Sequence, residues 1–273
     1  MVTALEQRRM NRQLMRQKRK TRATAVLAGI FFLLAAGLAV ALYLRINEVM
    51  PEGAKQEGLL VKNGMTVVNG SAMIDAPFID QREKFPTGCE SVSAVMALQY
   101  LGIDITPEEF IGQYLPKGNA PYRDENNALV GCDPRKAFPG DPCTELGWGC
   151  YAPVIEGAVN QALGEAPYRA KATCGETLDT LCSRYTDRGV PVLLWVTIDM
   201  APATTGDTWR IEGSEEEFSW IEPMHCALLV GRDTGSYYFN DPMAAKACAY
   251  SKEDVEAAYE ALGKQAVVIS PEA

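Results

Sequence analysis

A cysteine, a histidine, an aspartate and a glutamine are the side chains whose types and order in this sequence could support nucleophilic catalysis. Cys89 directly follows Gly88 and begins a predicted helix, where unpaired backbone N–H groups and the helix dipole favour a thiolate. His225 is the only histidine of the chain, so it is the one ordinary general base available near neutral pH. A thiol activated by an imidazole is a nucleophile for acyl groups.

Asp241 is the residue expected to orient His225. The runs HCALLV and YYFND predict two antiparallel strands joined by a turn. A hairpin centred on Asp233 places His225 directly opposite Asp241, whereas a register shift of one residue would substitute Asn240. Either an aspartate or an asparagine can hold the tautomer of an imidazole by a hydrogen bond.

Gln81 is the candidate donor to an oxyanion. It lies eight residues before Cys89 on the loop that leads into the predicted helix. Together with the backbone N–H of Cys89, its side-chain amide could form an oxyanion hole. A cysteine that starts a helix is by itself most often buried or disulfide-bonded, and a single histidine at a strand end is usually structural. The joint occurrence of Gln, Cys, His and Asp in this order favours catalysis over those separate roles.

The elements that must position these residues run from helices to strands. An apolar stripe from Cys89 to Gly102 predicts one helix, and Thr106 followed by Pro107 and Glu109 predicts the capped start of a second. Residues 116–149 are predicted to be irregular. Further helices are predicted at 153–163, 176–188 and 251–262, and strands at 191–198, 226–230, 236–240 and 265–270. Early helices and late antiparallel strands, without regular alternation, predict the α+β class.

The first 44 residues differ from the rest of the chain in charge and hydropathy. Residues 1–22 carry eight Lys or Arg and one Glu, and the next 22 residues, Ala23 to Leu44, are uncharged and mostly apolar. A helix of that length spans about 33 Å, which is enough to cross a bilayer. Because basic residues mark the cytoplasmic end of such spans, the sequence predicts a single-pass cell-membrane protein with a cytoplasmic N-terminus.

The predicted domains are a basic cytoplasmic tail (1–22), a transmembrane helix (23–44), a stalk or linker (45–72) and an extracytoplasmic domain (73–273). A signal peptide cleaved after Ala41 is the closer alternative, but the apolar run exceeds the usual ~7–15 residues and continues past that site. The basic run could also be a nucleic-acid arm. Beyond residue 44, however, 18 basic residues face 34 acidic ones, and a domain of that charge repels phosphate.

All eight cysteines lie beyond the apolar span, where disulfides can persist. One histidine and no C-x-x-C pair make zinc a poor alternative, and no metal or other cofactor is predicted. If Cys89 stays free, seven thiols remain and cannot all pair within one chain. Cys132, Cys143 and Cys150 share the irregular stretch, and Cys132–Cys143 is the predicted disulfide. Cys226 is expected to point to the sheet face opposite His225, as buried core or bridged.

The segments FIDQREKFPTGCESVSAVMALQYLG and PMHCALLVGRDTGSYYFNDP resemble the peptidase-family-thirty-nine-like cysteine peptidases, relatives of the papain-like peptidases and of the bacteriocin leader peptidases. The resemblance runs from about residue 73 to residue 269. It implies a papain-like fold and a bacterial source, with Cys89 as nucleophile, His225 as base, Asp241 as orienter and Gln81 as oxyanion donor. The sequence carries no transporter domain, so cleavage at a double-glycine leader is not implied.

The residues and the resemblance together predict a membrane-anchored extracytoplasmic thiol peptidase that acts on peptides or proteins outside the membrane. Two alternatives remain open. One is a cell-wall peptide amidase or endopeptidase that uses the same Cys-His pair. The other is a catalytically silent domain whose cleft binds a partner peptide, although such a domain needs none of the four proposed site residues.

Overall fold

The structure, a computed structural model, describes residues 65–68 and 71–271, which belong to one compact unit. The predicted cytoplasmic tail (1–22), the predicted transmembrane helix (23–44) and most of the predicted stalk lie outside the described residues. Within the described ranges, no helix combines the length and the apolar character needed to cross a bilayer.

Five α-helices lie in the described part of the chain: α1 (Cys89–Tyr100), α2 (Pro107–Gln113), α3 (Ala152–Leu163), α4 (Leu178–Arg184) and α5 (Lys252–Ala261). Local sequence explains three starts, because the Thr106, Thr177 and Ser251 side chains accept hydrogen bonds from the backbone N–H groups of Glu109, Thr180 and Asp254. Helix α1 has Gly88 at its N-cap and no side-chain cap. The first N–H groups of α1 therefore lack the partner that a capping side chain would supply.

The same part of the chain contains fourteen strands, which are β1 (Met65–Val68), β2 (Ser71–Ile74), β3 (Lys117–Gly118), β4 (Tyr122–Arg123), β5 (Leu129–Gly131), β6 (Phe138–Pro139), β7 (Tyr168–Cys174), β8 (Val192–Thr197), β9 (Thr204–Ile211), β10 (Glu217–Glu222), β11 (Met224–Arg232), β12 (Ser236–Asn240), β13 (Cys248–Ser251) and β14 (Gln265–Pro271). The large sheet has the order β1-β2-β11-β8-β14-β7, with β12 beside β11 and β13 beside β12. Its pairs are antiparallel. The predicted α+β class is confirmed.

The large sheet separates two apolar layers. On one face, Met96 of α1 packs in the same core as Trp195 of β8, and α3 lies beside α1. On the other face, Leu181 of α4 packs with Leu194, and α5 completes that layer. Trp195 and Leu194 are neighbours in sequence, so their side chains point to opposite faces of the sheet. Both are fully buried because each face is covered by helices. Helices on both faces hold the central strand β11 between two cores.

A second, smaller sheet lies beside the first. Its order is β10-β9-β5-β4, and β3 pairs separately with β6. Four of these strands lie in the stretch 116–149 that was predicted to be irregular, and each has only two or three residues. Strands so short carry no periodicity by which a sequence could reveal them.

The large sheet begins before residue 73, where the sequence placed the start of the domain. Met65 of β1 pairs with Ile74 of β2, and Met73 of β2 pairs with Gly231 of β11. The predicted boundary between stalk and domain therefore falls inside β2. Strand β2, with four residues, is too short to be distinguished from a linker by its pattern.

The predicted Cys132–Cys143 disulfide is wrong, since none of the eight cysteines, all of which lie in the described part of the chain, is bonded to another. Cys132 packs against β3, where a Cβ at Gly118 would lie 2.7 Å from its Sγ. Cys143 is exposed in a turn in which its N–H donates to Asp141 Oδ1 at 3.0 Å. Loop length alone does not fix the direction of two thiols. Cys226 is fully buried in the core, as expected.

Candidate active site

Cys89 begins α1 next to the start of β11. The backbone of Cys226 lies close to Cys89 and lowers the pKa of its thiol, although burial has the larger, opposite effect. Ser93 Oγ, one turn further along α1, donates to the Cys226 carbonyl at 3.1 Å. Cys89 is 6% exposed. The backbone before it is closely packed, because a Cβ at Gly88 would lie 3.1 Å from Phe85 Cβ, which is tighter than an ordinary contact. The first turn of α1 therefore lies beside Cys226, the residue that follows His225.

His225 contacts Asp241 inside the protein. The distance from His225 Nε2 to Asp241 Oδ1 is 2.8 Å, and the two side chains are 1% and 2% exposed. Asp241 also accepts hydrogen bonds from the Met243 N–H and the Tyr250 hydroxyl, both at 2.9 Å. Burial raises the pKa of Asp241, but the hydrogen bonds, led by that from His225, outweigh it and leave this pKa below its ordinary value. The carboxylate is therefore ionised and fixed.

The second ring nitrogen of His225 has no partner. Nδ1 is buried and makes no hydrogen bond to any described residue. Because the ionised Asp241 carboxylate can only accept, Nε2 carries the hydrogen of the neutral ring and Nδ1 carries the lone pair. The imidazole thus has a free base site within the protein interior.

The predicted contact is present, but the predicted hairpin register is wrong. Strands β11 and β12 pair with a bulge between Leu229 and Gly231. The Asp233 carboxylate accepts hydrogen bonds from the backbone N–H groups two and three residues further on, so Asp233 begins the turn and is not its centre. Asp241 follows the end of β12 and reaches His225 from that connection.

Asn240, the alternative orienter, has other partners. Its Nδ2 donates to the carbonyls of Ala76 and Pro77 at 3.1 and 3.0 Å. Its Oδ1 accepts from the Ala247 N–H at 3.0 Å. Asn240 therefore connects the end of β12 to the segment that leads toward Gln81.

Gln81 bridges the two parts of the site. Its backbone N–H donates to the carbonyl of Pro242, the residue after Asp241, at 3.0 Å. Its side-chain Nε2 donates to the Pro86 carbonyl, in the loop before Cys89, at 3.2 Å. Gln81 is 1% exposed. An amide nitrogen has two hydrogens, so one hydrogen of Gln81 Nε2 remains for an incoming oxygen atom.

Glu90 is a member of this cluster that the sequence did not single out. It is fully buried; its Oε1 accepts from the Cys150 N–H at 2.7 Å, and its Oε2 lies 3.3 Å from Cys89 Sγ, with the thiol as donor. Burial raises the pKa of Glu90 to about 7. Burial, together with the nearby Glu90 charge, raises the pKa of the Cys89 thiol well above its ordinary value. The resting group is therefore a thiol, contrary to the expectation that the helix N-terminus alone would favour a thiolate.

The loop opposite α1 closes the site around Glu90. Gly149 has a φ of 127°, and a Cβ at this position would lie 2.7 Å from Glu90 Oε1 and 2.5 Å from Met224 Cε. Only glycine fits this backbone and this space. Behind the loop, the Trp148 ring contacts Trp209 and Trp220 with centroid separations of 5.2 and 5.7 Å.

Space for a ligand lies next to the Gln81 loop. A cavity of about 790 Å³ is lined by residues of this loop and of the start of α2: Ile79, Asp80, Arg82, Glu83, Lys84, Phe85, Pro107 and Glu108. Among the described residues, no group of three His, Cys, Asp or Glu side chains is placed to hold a metal ion. The cavity adjoins the loop that carries the proposed oxyanion donor.

Comparison with known proteins gives consistent matches. The sequence profile of the peptidase C39-like family matches residues 73–267. The uncharacterised protein YvpB of Bacillus subtilis (strain 168) is 27% identical over 210 residues, covering 76% of this chain and 80% of that protein. A crystal structure of a protein assigned as a C39-like peptidase from Bacillus anthracis matches with a TM-score of 0.64 at 24% identity, covering 74% of this chain and 98% of that chain. The structural match confirms the C39-like fold.

Proposed function

This chain belongs to the peptidase C39-like family, and on that premise we propose that it is a cysteine peptidase with Cys89 as its nucleophile. His225 is the general base, Asp241 orients it, and Gln81 donates to the oxyanion. The observation that carries the proposal is the buried His225 ring, which has Nε2 on an ionised carboxylate and Nδ1 without a partner. The backbone of Cys226, the residue after His225, lies close enough to Cys89 to lower the pKa of its thiol, against the larger effect of burial.

The proposed reaction uses these four residues in turn. His225 Nδ1 takes the proton of Cys89, and the thiolate sulfur attacks the carbonyl carbon of a peptide bond. The oxyanion that forms accepts hydrogen bonds from the Cys89 N–H and from Gln81 Nε2. The imidazolium then gives its proton to the departing amine. A water molecule, deprotonated by His225, hydrolyses the thioester, releases a carboxylic acid and regenerates the thiol.

The substrate class is tested with two kinds of peptide. Purified full-length protein in detergent is incubated with denatured casein and, separately, with peptides released from bacterial cell wall, in water enriched in oxygen-18. Mass spectrometry counts the new termini and the heavy oxygen incorporated. Cleavage of casein supports a general peptidase, and cleavage of wall peptides alone assigns the enzyme to that substrate. Absence of products from both would contradict the proposed activity and favour a silent binding domain.

We propose in addition that residues 23–44 anchor the protein in the cell membrane, with residues 1–22 in the cytoplasm and the catalytic domain outside. The support is the charge and hydropathy of the sequence. Eight basic residues precede an uncharged span of 22 residues. Between the end of that span and Lys55, Arg45 is the only basic residue. An exported domain would meet peptides and proteins at the cell surface.

The anchor proposal predicts where the protein is found and how it is cleaved. Because an integral span is not released by changing surface charge, the full chain should stay with the membrane fraction after a wash at high pH. Protease added to intact cells should degrade the chain from Arg45 onward and spare the basic tail. A soluble form whose first residue is Leu42 would show instead that Ala41 ends a signal peptide.

A further inference from the structure

Glu90 is an ionisable group in direct contact with the proposed nucleophile, and the mechanism above gives it no part. Its Oε2 lies 3.3 Å from Cys89 Sγ, and its Oε1 accepts from the Cys150 N–H at 2.7 Å. Glu90 is 0% exposed. The Gly149 backbone passes so close that a Cβ there would lie 2.7 Å from Oε1. The carboxyl group is therefore held on the thiol by contacts on both of its oxygens.

The groups that surround Glu90 include one base and one further carboxylate. Its own helix presents Cys89, and the segment that enters α3 presents the Cys150 and Tyr151 side chains. Strand β11 presents Cys226 and His225, and Asp241 lies behind His225. Among these described neighbours, His225 is the one that can become a cation. With Glu90 and Asp241 both ionised, a Cys89 thiolate would be the third negative charge in a buried site.

We propose that Glu90 accepts the S–H hydrogen bond of Cys89 in the resting enzyme and that the charge of Glu90 sets the pH range in which the Cys89 thiolate forms. Ionised Glu90 accepts the S–H hydrogen bond, which stabilises the thiol, and it repels a thiolate at the same distance. Protonated Glu90 has no such charge, and its O–H can donate to the sulfur once His225 Nδ1 has taken the thiol proton. The change needs one proton on Glu90 and no other reactant.

The pH range follows from burial, which raises the pKa of Glu90 to about 7. Below this pH the carboxyl group is neutral and the thiolate–imidazolium pair can form. Above it, the ionised carboxylate suppresses the thiolate. The consequence for hydrolysis rests on the proposed function: peptide cleavage should fall as the pH rises from 6 to 8. The consequence for the thiol itself can be measured without any substrate.

The test is alkylation of Cys89 by iodoacetamide in the full-length protein at pH 6, 7 and 8, quantified by mass spectrometry of the Cys89 peptide. In the wild type, the rate should fall from pH 6 to pH 8. In Glu90→Gln, whose amide oxygen can still accept from Cys150 and whose NH₂ can donate to the sulfur, the fall should disappear. The variant should react about tenfold faster than the wild type at pH 8, because a like charge in contact shifts a pKa by about one unit or more.

Glu109→Gln is the matched control. Glu109 also lies in the first turn of a helix, but its carboxylate accepts hydrogen bonds from Thr106 and contacts no thiol. This variant should follow the wild-type course. Identical pH courses for Glu90→Gln and the wild type would overturn the proposal. If Glu90→Gln does not fold, the wild type still decides, because a rate that rises steadily from pH 6 to 8 would also overturn it. If Glu90→Gln changes the pH dependence of Cys89 alkylation but the wild type cleaves no peptide, the proposed peptidase activity is contradicted and the role of Glu90 is not.

Discussion

The Cys89→Ala protein is expected to cleave no peptide bond at a measurable rate. The proposed reaction proceeds through a thioester on Cys89 Sγ, so removing the sulfur removes the covalent path, and the loss should be at least about 10⁴-fold in kcat/KM. The measurement is the rate at which new amino termini appear in denatured casein. Because Cys89 is small and buried, the variant should keep the circular dichroism spectrum of the wild type.

Cys174→Ala is the control for this prediction. Cys174 is also a free thiol, but it is exposed at the end of β7, the outermost strand on the side of the sheet opposite β1. Its removal should leave the cleavage rate unchanged within about twofold, because surface substitutions away from a site have small effects. Wild-type activity in Cys89→Ala, or loss of activity in Cys174→Ala alone, would refute Cys89 as the nucleophile.

The second large effect is expected on the imidazole and its partner. His225→Ala should abolish cleavage, because no other histidine exists in the chain to take the Cys89 proton. Asp241→Asn should lower kcat by about 10⁴-fold and leave weak activity, because the orienting group is not consumed in the reaction but fixes the ring tautomer. Steady-state cleavage of casein by the purified variants measures both effects.

Asp233→Asn is the matched control, since it makes the same substitution on the same hairpin. Asp233 contacts backbone N–H groups of the turn and the Tyr238 hydroxyl, and none of the site residues. An asparagine can still accept the turn hydrogen bonds, so activity should stay within about twofold of the wild type. Equal activity in Asp241→Asn and the wild type would show that the short contact between Asp241 and His225 has no role in catalysis.

Much of the site could be predicted because it depends on local patterns. A glycine before an apolar helical stripe places Cys89 at the start of α1, and two apolar runs joined by a turn place His225 and Asp241 at the same end of one hairpin. The register could not be predicted, because the Asp233 side chain starts the turn and a bulge adds a residue to β11. The contact between His225 and Asp241 was predicted correctly in spite of the wrong register, because Asp241 lies beyond the end of β12.

Other parts depend on contacts between distant segments, which the sequence does not display. A glutamate in the first turn of a helix is typically exposed to solvent, where its charge interacts favourably with the helix dipole. Glu90 is buried instead, because the backbone of residues 149 and 150, about 60 residues away, closes over it. Tyr250 reaches Asp241 from β13, a strand of four residues that no pattern revealed. Strand β9 was missed as well, since it is largely polar and exposed, and its partner β10 was missed although half of its six residues are apolar.

The measurement that tests the central claim most directly is competition among the eight cysteines for a limiting amount of iodoacetamide at pH 6. An unassisted thiol is almost fully protonated at this pH and reacts slowly, whereas a thiol that transfers its proton to an imidazole reacts as the thiolate. Peptide mass mapping identifies the modified residue in the wild type and in His225→Ala. If Cys89 is the nucleophile activated by His225, buried Cys89 is modified before exposed Cys143 and Cys174, and this preference is lost without His225. Modification of Cys143 or Cys174 first, with Cys89 unmodified in the wild type, would contradict this role of Cys89.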